Sequence, residues 1–371
     1  MSELVIDLAK LGHNIRYLSE FCSDRRLDLL GIVKGCFSNV PIIQAFQENG
    51  IDRLGISKVA IVRDVARYLK SPPVKISLST CQQAEAVVHH FDTSYHSEIA
   101  PIHALADACS RQATAHDLIL VVDIGDLREG VLPEDVQETV GKILEIKNNY
   151  LSFRGLAASL TCCSGTLPDE ENILVLHQLS KDIEARFGCQ VKTVSIGGSV
   201  VLSWMQDHDL PWRINEIRLG EAILLGTIPS LSHKHESLYD DAFTFRAEVL
   251  EVREKPSMPK GVLGLDSLGG KPYLRDRGIR KRAILDFGLV DTAPMGLIPR
   301  LLNLEFVNTN SEYAIVDVTD CSQPVERGDI VEFGLKYIAM IQCFISPHVD
   351  IKIVDENVDR TSNVFPLPPP G

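Results

Sequence analysis

Short apolar runs rich in β-branched residues recur along the first two-thirds of the chain, and longer stretches with helical spacing separate them. Residues 29–33, 53–56, 74–78, 93–95, 118–122, 153–159, 191–196 and 214–217 read as strands. Between them, residues 59–69 bring Val62, Val65 and Ala66 back at helical steps. From about residue 172 to 187, Leu174, Leu176, Leu179 and Ile183 predict a second helix with those side chains on one side. Eight strands alternating with helices predict a (β/α)8 TIM-like barrel. The rival is a doubly wound open sheet, which often carries a glycine fingerprint after its first strand. Here Ile32-Val33-Lys34-Gly35-Cys36-Phe37 has none.

After about residue 236 the pattern changes. Strand-like runs at 243–251, 282–287, 313–318 and 330–333 are punctuated by Gly and Pro, and helical periodicity is scarce. The predicted organisation is an α/β barrel over residues 9–235, followed by a mostly β C-terminal domain. Residues 236–355 make up that domain together with residues 1–8, and the Pro-rich end, 356–371, is expected to be disordered.

With 371 residues, 45% hydrophobic and 23% charged, the chain can bury two ordinary cores. Its net charge of −13 argues against nucleic acid or an anionic membrane surface as partner. Any anion must therefore be bound by a local arrangement. Nine cysteines, with Cys162 and Cys163 adjacent and no C-x-x-C pair, suit free thiols rather than a disulfide scaffold or a zinc ribbon. No signal-like start and no apolar run of about 18 residues is present, so the expectation is a cytoplasmic protein.

In a barrel, chemistry sits where strands end. The first strand ends at Lys34. Partial burial there would favour a neutral, nucleophilic amine able to form a Schiff base, although such a side chain can also simply snorkel out of the barrel mouth. The seventh ends in Gly197-Gly198-Ser199, either a phosphate cradle or a glycine turn with a serine cap. Arg128 and Arg218 stand at two further ends, free to meet an anion or to pair with Asp126 or Glu221. Together these features describe a site that binds an anion and captures an aldehyde, the requirements of pyridoxal phosphate.

The opening Val5-Ile6-Asp7-Leu8, Leu11 and His13-Asn14-Ile15, with the apolar strand ending in Val33-Lys34, resembles the alanine-racemase fold of pyridoxal-phosphate enzymes. The ornithine racemase branch is closer. The resemblance lies in Val122-Asp123-Ile124-Gly125-Asp126-Leu127-Arg128-Glu129-Gly130, in Leu219-Gly220-Glu221 through Leu224-Leu225-Gly226, and in Glu254-Lys255-Pro256-Ser257. It continues in Lys271-Pro272-Tyr273 with Gly278-Ile279-Arg280, in Arg282-Ala283-Ile284-Leu285, in Ile315-Val316-Asp317-Val318 and in Gly328-Asp329. It covers about residues 3–350.

The resemblance implies pyridoxal 5'-phosphate as cofactor and a homodimer in which the β domain of one subunit closes the barrel mouth of the other. It implies Lys34 as the Schiff-base lysine and one proton-transfer base. Ser199 and Tyr337, with Gly198 and Gly220, would hold the phosphate, Arg218 would face the pyridine nitrogen, and Arg128 would lie near the phenolic oxygen. An arginine at that nitrogen leaves it unprotonated, which suits reprotonation at Cα and therefore racemisation. The implied activity interconverts L- and D-amino acids by proton transfer on two faces, with ornithine or another basic amino acid as substrate.

The chain departs from alanine racemases in two places. The tyrosine that serves the second face is replaced by Leu289, within Gly288-Leu289-Val290-Asp291-Thr292, and the tyrosine after the lysine by Ser38. Tyr273, Asp291, Cys162, Cys163 and the histidines are the candidates for a second base. Asp291, Asp286 and Asp266 are the candidates for reading a distal ammonium. The alternatives are a non-catalytic pyridoxal-phosphate carrier and a racemase of broad or neutral specificity. A metal-assisted lyase would have only His348 and Asp350 to draw on, so no metal is expected.

Overall fold

The computed structural model describes residues 2–37, 39–228, 233–266, 269–271 and 274–354. The chain forms two compact units, residues 11–239 and residues 1–10 together with those from 240 onward. The predicted tail lies outside the described residues.

The first strand, β1 (Glu3–Asp7), belongs to the second unit. The next eight are β2 (Asp28–Ile32), β3 (Leu54–Ile56), β4 (Val74–Lys75), β5 (Thr93–His96), β6 (His116–Val121), β7 (Leu151–Ser159), β8 (Thr193–Gly197) and β9 (Glu216–Leu219). Each runs parallel to the next, and β9 returns to β2, so the sheet is the closed eight-stranded barrel that the alternation predicts. Closure leaves no free edge. A cluster of Leu30, Ile32, Val74, Tyr95, Ile119, Val121 and Ala157 forms a core from one face of the strands, at the two-residue period of a sheet.

The structure corrects three details. β4 is shorter than the predicted 74–78. Lys75 is buried, and its ammonium donates to Ser77 O at 2.6 Å and to Ser77 Oγ at 2.8 Å, which turns the chain out of the ladder. In the helix Glu170–Phe187, Leu174 is 43% exposed, and Ile173, Leu176, Leu179 and Ile183 form the buried stripe. The helix Val59–Val65 buries Val62 and Val65 but gives way to a 3-10 turn at Ala66, which is exposed.

A two-residue pair, β10 (Thr227–Ile228) with β11 (His233–Lys234), follows the barrel. The second unit is built on the long strand β12 (Phe243–Pro256), which pairs with β13 (Ile279–Leu285), β17 (Ile330–Leu335) and β1. The sheet is completed by β14 (Leu297–Pro299), β15 (Glu305–Thr309), β16 (Ala314–Asp317) and β18 (Asp350–Val354). Phe243, Phe245, Phe287 and Phe333 are fully buried in it, with the Phe245 and Phe287 rings edge to face at 5.1 Å. The helix Tyr337–Ile345 escapes sequence reading because its residues are apolar all round and give no amphipathic stripe. No helix among the described residues is long and apolar enough to cross a membrane.

On the face opposite Tyr95, a buried polar chain joins β5 to β6. Ser94 Oγ lies 2.8 Å from His96 Nε2 and 2.7 Å from His116 Nε2, and His116 Nδ1 lies 3.1 Å from Phe91 O. A carbonyl only accepts, so His116 carries its proton on Nδ1 and takes the Ser94 hydroxyl proton on Nε2. Burial, with the neighbouring cations, lowers the His96 pKa to about 3, and burial lowers that of His116 to about 4. Both values lie below the ordinary 6.5, so the unfolded chain binds more protons over that window and acid costs stability.

Stability should therefore fall as the pH drops from about 6.5 to 4, by up to about 1.4 kcal/mol per pH unit for each ring. Chemical denaturation across that range should show a shallower slope in His96→Gln and in His116→Gln. A slope equal to the wild type's would show that these rings do not govern it.

Candidate active site

Five loops at the C-terminal ends of the barrel strands carry the barrel residues singled out from sequence. After β2 the backbone leaves the ladder at Val33 (φ −104°, ψ 13°), and Lys34–Cys36 form a single 3-10 turn. Phe37 ends it in the left-handed region at φ 40°, a conformation that costs a bulky residue about 1–2 kcal/mol. Lys34 is exposed on this turn. The expectation that it is partly buried is thus corrected: the turn lifts it clear of the apolar strand.

Arg218, on β9, is buried. Its Nη1 donates to Ser195 Oγ at 2.8 Å, and its Nη2 donates to Ala158 O at 2.6 Å and Ser159 Oγ at 2.8 Å. The guanidinium also lies 5.3 Å from the centre of the Tyr95 ring. Ser195 passes its own proton to Glu216 Oε1 at 2.6 Å, and Arg53 pairs with the other Glu216 oxygen at 3.5 Å. The charge is thus balanced through a serine, and the pairing with Asp126 or Glu221 that the sequence left open is not formed. Burial is the largest influence on the Tyr95 hydroxyl and pushes its pKa up to about 12, so the ring stays neutral beside the cation. Gly197 makes this arrangement possible, since a Cβ there would sit 2.3 Å from Arg218 Nη2.

Gly198 follows at φ +109°, a conformation that favours glycine. Ser199 is buried, but it does not cap the helix Val201–Trp204. Its Oγ accepts the N–H of Ala222 at 3.0 Å, which leaves the hydroxyl proton free to donate elsewhere. Ala222 lies in the first turn of the helix Glu221–Leu225, and Gly220 before it packs so closely on Ile32 that a Cβ would stand 3.1 Å from Ile32 O. Burial pushes the Glu221 carboxyl up to about 7, against the opposing pull of Lys34.

The segment after β6 folds on itself. Asp123 Oδ1 accepts from Gly125 N at 2.9 Å and from Leu127 N at 3.1 Å. Asp126 is buried and accepts the backbone N–H groups of Cys162, Cys163 and Ser164 at 3.1–3.2 Å. This nest ties the loop after β6 to the loop after β7. Arg128 is exposed and pairs with Glu129 rather than with Asp126 or Glu221. Sequence reading missed both Asp126 as the latch and the Ser195–Glu216 pair, although Glu216, two residues before Arg218 on the same strand face, was a usable signal.

Cys162 and Cys163 are both exposed, and all nine cysteines are free. In the second unit, Asp291 is buried and accepts Gly288 N at 2.8 Å, and burial raises its pKa. Asp286 precedes the buried Phe287, while Leu289 is exposed. Asp266 accepts Gly270 N at 2.8 Å, and Tyr337 opens the helix Tyr337–Ile345. His348 and Asp350 are exposed, and no group of three or more metal-ligating side chains occurs among the described residues. Tyr273 and Ser38 lie outside the described residues.

The cradle at Gly198, Ser199 and Gly220 fits a phosphate group, because it combines glycine backbone, where close packing leaves no room for side chains, with a hydroxyl that has a proton to give. Arg218 fits a ring nitrogen that must stay an acceptor, because a guanidinium can only donate.

A family model for the N-terminal domain of alanine racemase matches residues 6–227. Ornithine racemase from Acetoanaerobium sticklandii is 30% identical over 353 residues, covering 95% of this chain and 99% of that protein. Lysine racemase from Thermotoga maritima is 30% identical over 349 residues, covering 94% and 97%. Among solved structures, alanine racemase from Bartonella henselae, described with covalently bound pyridoxal phosphate, has the same fold at a TM-score of 0.71. Its sequence identity is 16%, with 95% of this chain and 99% of that one covered.

Removing the Asp126 carboxylate leaves three backbone donors without their acceptor. Asp126→Ala should lower stability by about 2–4 kcal/mol and Asp126→Asn by less, measured by urea unfolding. Amide exchange at residues 162–164 should quicken in both variants, and unchanged exchange there would rule the latch out.

Proposed function

Because the chain belongs to the alanine racemase family of pyridoxal-phosphate enzymes, we propose that it interconverts the L and D forms of a basic amino acid, ornithine or lysine. The observation that carries this reading is that two relatives, each 30% identical over nearly the whole chain, are racemases named for diamino acids. When bound, pyridoxal phosphate supplies an aldehyde for amine capture and an electron sink that acidifies the α-proton of an amino acid.

Each role then falls to a residue of this chain. Lys34, exposed at the barrel rim, would hold the cofactor through its amine and could carry a proton at its Nζ. Ser199, whose hydroxyl proton is free, would hold the phosphate together with the Gly198 and Gly220 backbone. Arg218, fixed by Ser195, Ser159 and Ala158 O, would present a permanent cation to the ring nitrogen and disfavour its protonation. Leu289 has no ionisable group, so proton transfer on the second face falls to another residue, for which Cys162, Asp291 and Tyr273 are the candidates.

We propose a homodimer as the working form. In the second unit Met295 is 81% exposed, and Ile298 and Ile338 are 46% exposed. Gly296, beside Met295 in the chain, packs against Ile338 so tightly that a Cβ would lie 2.7 Å from it, and exposed apolar side chains such as these are the kind a dimer covers.

Incubation in deuterated water with ornithine, lysine, alanine and serine of both hands should give deuterium at Cα with inversion for ornithine or lysine, and far less for alanine. A preference for alanine, or no exchange at all, would overturn the substrate class. Lys34→Ala should lower exchange by about a thousandfold or more. Met295→Glu should shift the species from dimer to monomer in light scattering, and an unchanged mass would remove that surface from the interface.

A further inference from the structure

The charged and polar side chains at the strand ends are almost all answered: Arg218 by Ser195, Ser159 and Ala158 O, Asp126 by three amides, and Arg128 by Glu129. Two are not, the exposed Lys34 and Glu221, and of the two only Glu221 is drawn out of water. It is half-buried, and among the described residues no hydrogen bond or ion pair reaches its carboxyl. We propose that Glu221 is a neutral carboxylic acid whenever a phosphate group occupies Ser199, so that cofactor binding takes up a proton at Glu221. This rests on the assignment of Ser199 as phosphate ligand in the reading above.

The placement is fixed by three contacts. Ser199 Oγ lies 3.0 Å from the N–H of Ala222, the residue after Glu221. Gly220, the residue before it, is pressed onto Ile32. The pairing of Gly31 with Leu219 brings the turn that carries Lys34 beside the start of the helix Glu221–Leu225. An anion held by the Ser199 hydroxyl therefore lies beside the backbone from which the Glu221 side chain branches.

The charges decide its state. A phosphate monoester carries close to two negative charges at and above neutral pH. A carboxylate beside it would be repelled and has no proton to give. The acid form instead donates an O–H to a phosphate oxygen. Of the groups facing Glu221, Lys34 from the turn after β2 is the cation that acts on it. Arg218 is turned to the partners already named, and Ser199 does not titrate. Burial alone already holds the carboxyl near neutrality, at about 7, despite Lys34, and an adjacent dianion moves it further in the same direction.

The probe is pyridoxine 5'-phosphate, which has the ring and the phosphate but no aldehyde to react with Lys34. Titration calorimetry near pH 8, in two buffers with different ionisation heats, gives the protons taken up per ligand. The wild type should take up close to one more than Glu221→Gln, and above about pH 7 its affinity should fall relative to the variant's by about tenfold per pH unit. Equal proton counts would overturn the proposal while leaving the phosphate site intact. If neither protein binds the probe, the phosphate site itself falls, and the proposal with it. The infrared difference spectrum of the wild type on binding needs no variant. It should gain the C=O band of a protonated carboxyl, and a spectrum without that band would overturn the proposal.

Discussion

Four residue pairs, Asp28–Glu216 through Gly31–Leu219, sew the first barrel strand to the last, and the rest of the site depends on that seam. The two strands are almost two hundred positions apart, yet the register sets the Lys34 turn beside Gly220 and Glu221. It also fixes how far Arg218 projects among its neighbours. A parallel pair in a closed barrel cannot slip by one residue without turning its core face outward, so the placement of lysine, arginine and glutamate is set by the hydrophobic pattern of two short strands.

Inside, the protein keeps a permanent cation almost out of reach of water. A direct carboxylate partner would largely cancel its charge. The chain instead inserts Ser195 between Arg218 and Glu216, so the guanidinium is oriented by neutral oxygens and balanced at one remove. The cost of burial is met by hydrogen bonds on Nη1 and Nη2 and by the face of Tyr95, and the positive charge remains available to whatever stands before it.

Much of this was legible in the sequence. The strand runs that fixed the barrel are short and apolar, and their order leaves few topologies open. Gly197-Gly198-Ser199 stood out because glycines before a serine let the backbone adopt turns and close approaches that side chains forbid. The exposure of Lys34 was not legible, because it depends on a single 3-10 turn whose last residue, Phe37, adopts a left-handed conformation that its type does not advertise. Asp126 was visible only as one acid in an acidic loop, since its partners are amides of a segment some forty residues away. The helix Tyr337–Ile345 was hidden by its uniform apolarity, and Leu174 was placed on the wrong face because two stripes of leucine and isoleucine compete in that helix.

Gly197 is the position a Cβ could enter only by displacing the Arg218 guanidinium. A side chain at 197 would have to push the guanidinium off Ala158 O and Ser159 Oγ, so a glycine that contributes no side chain at all keeps the aim of its neighbour's charge.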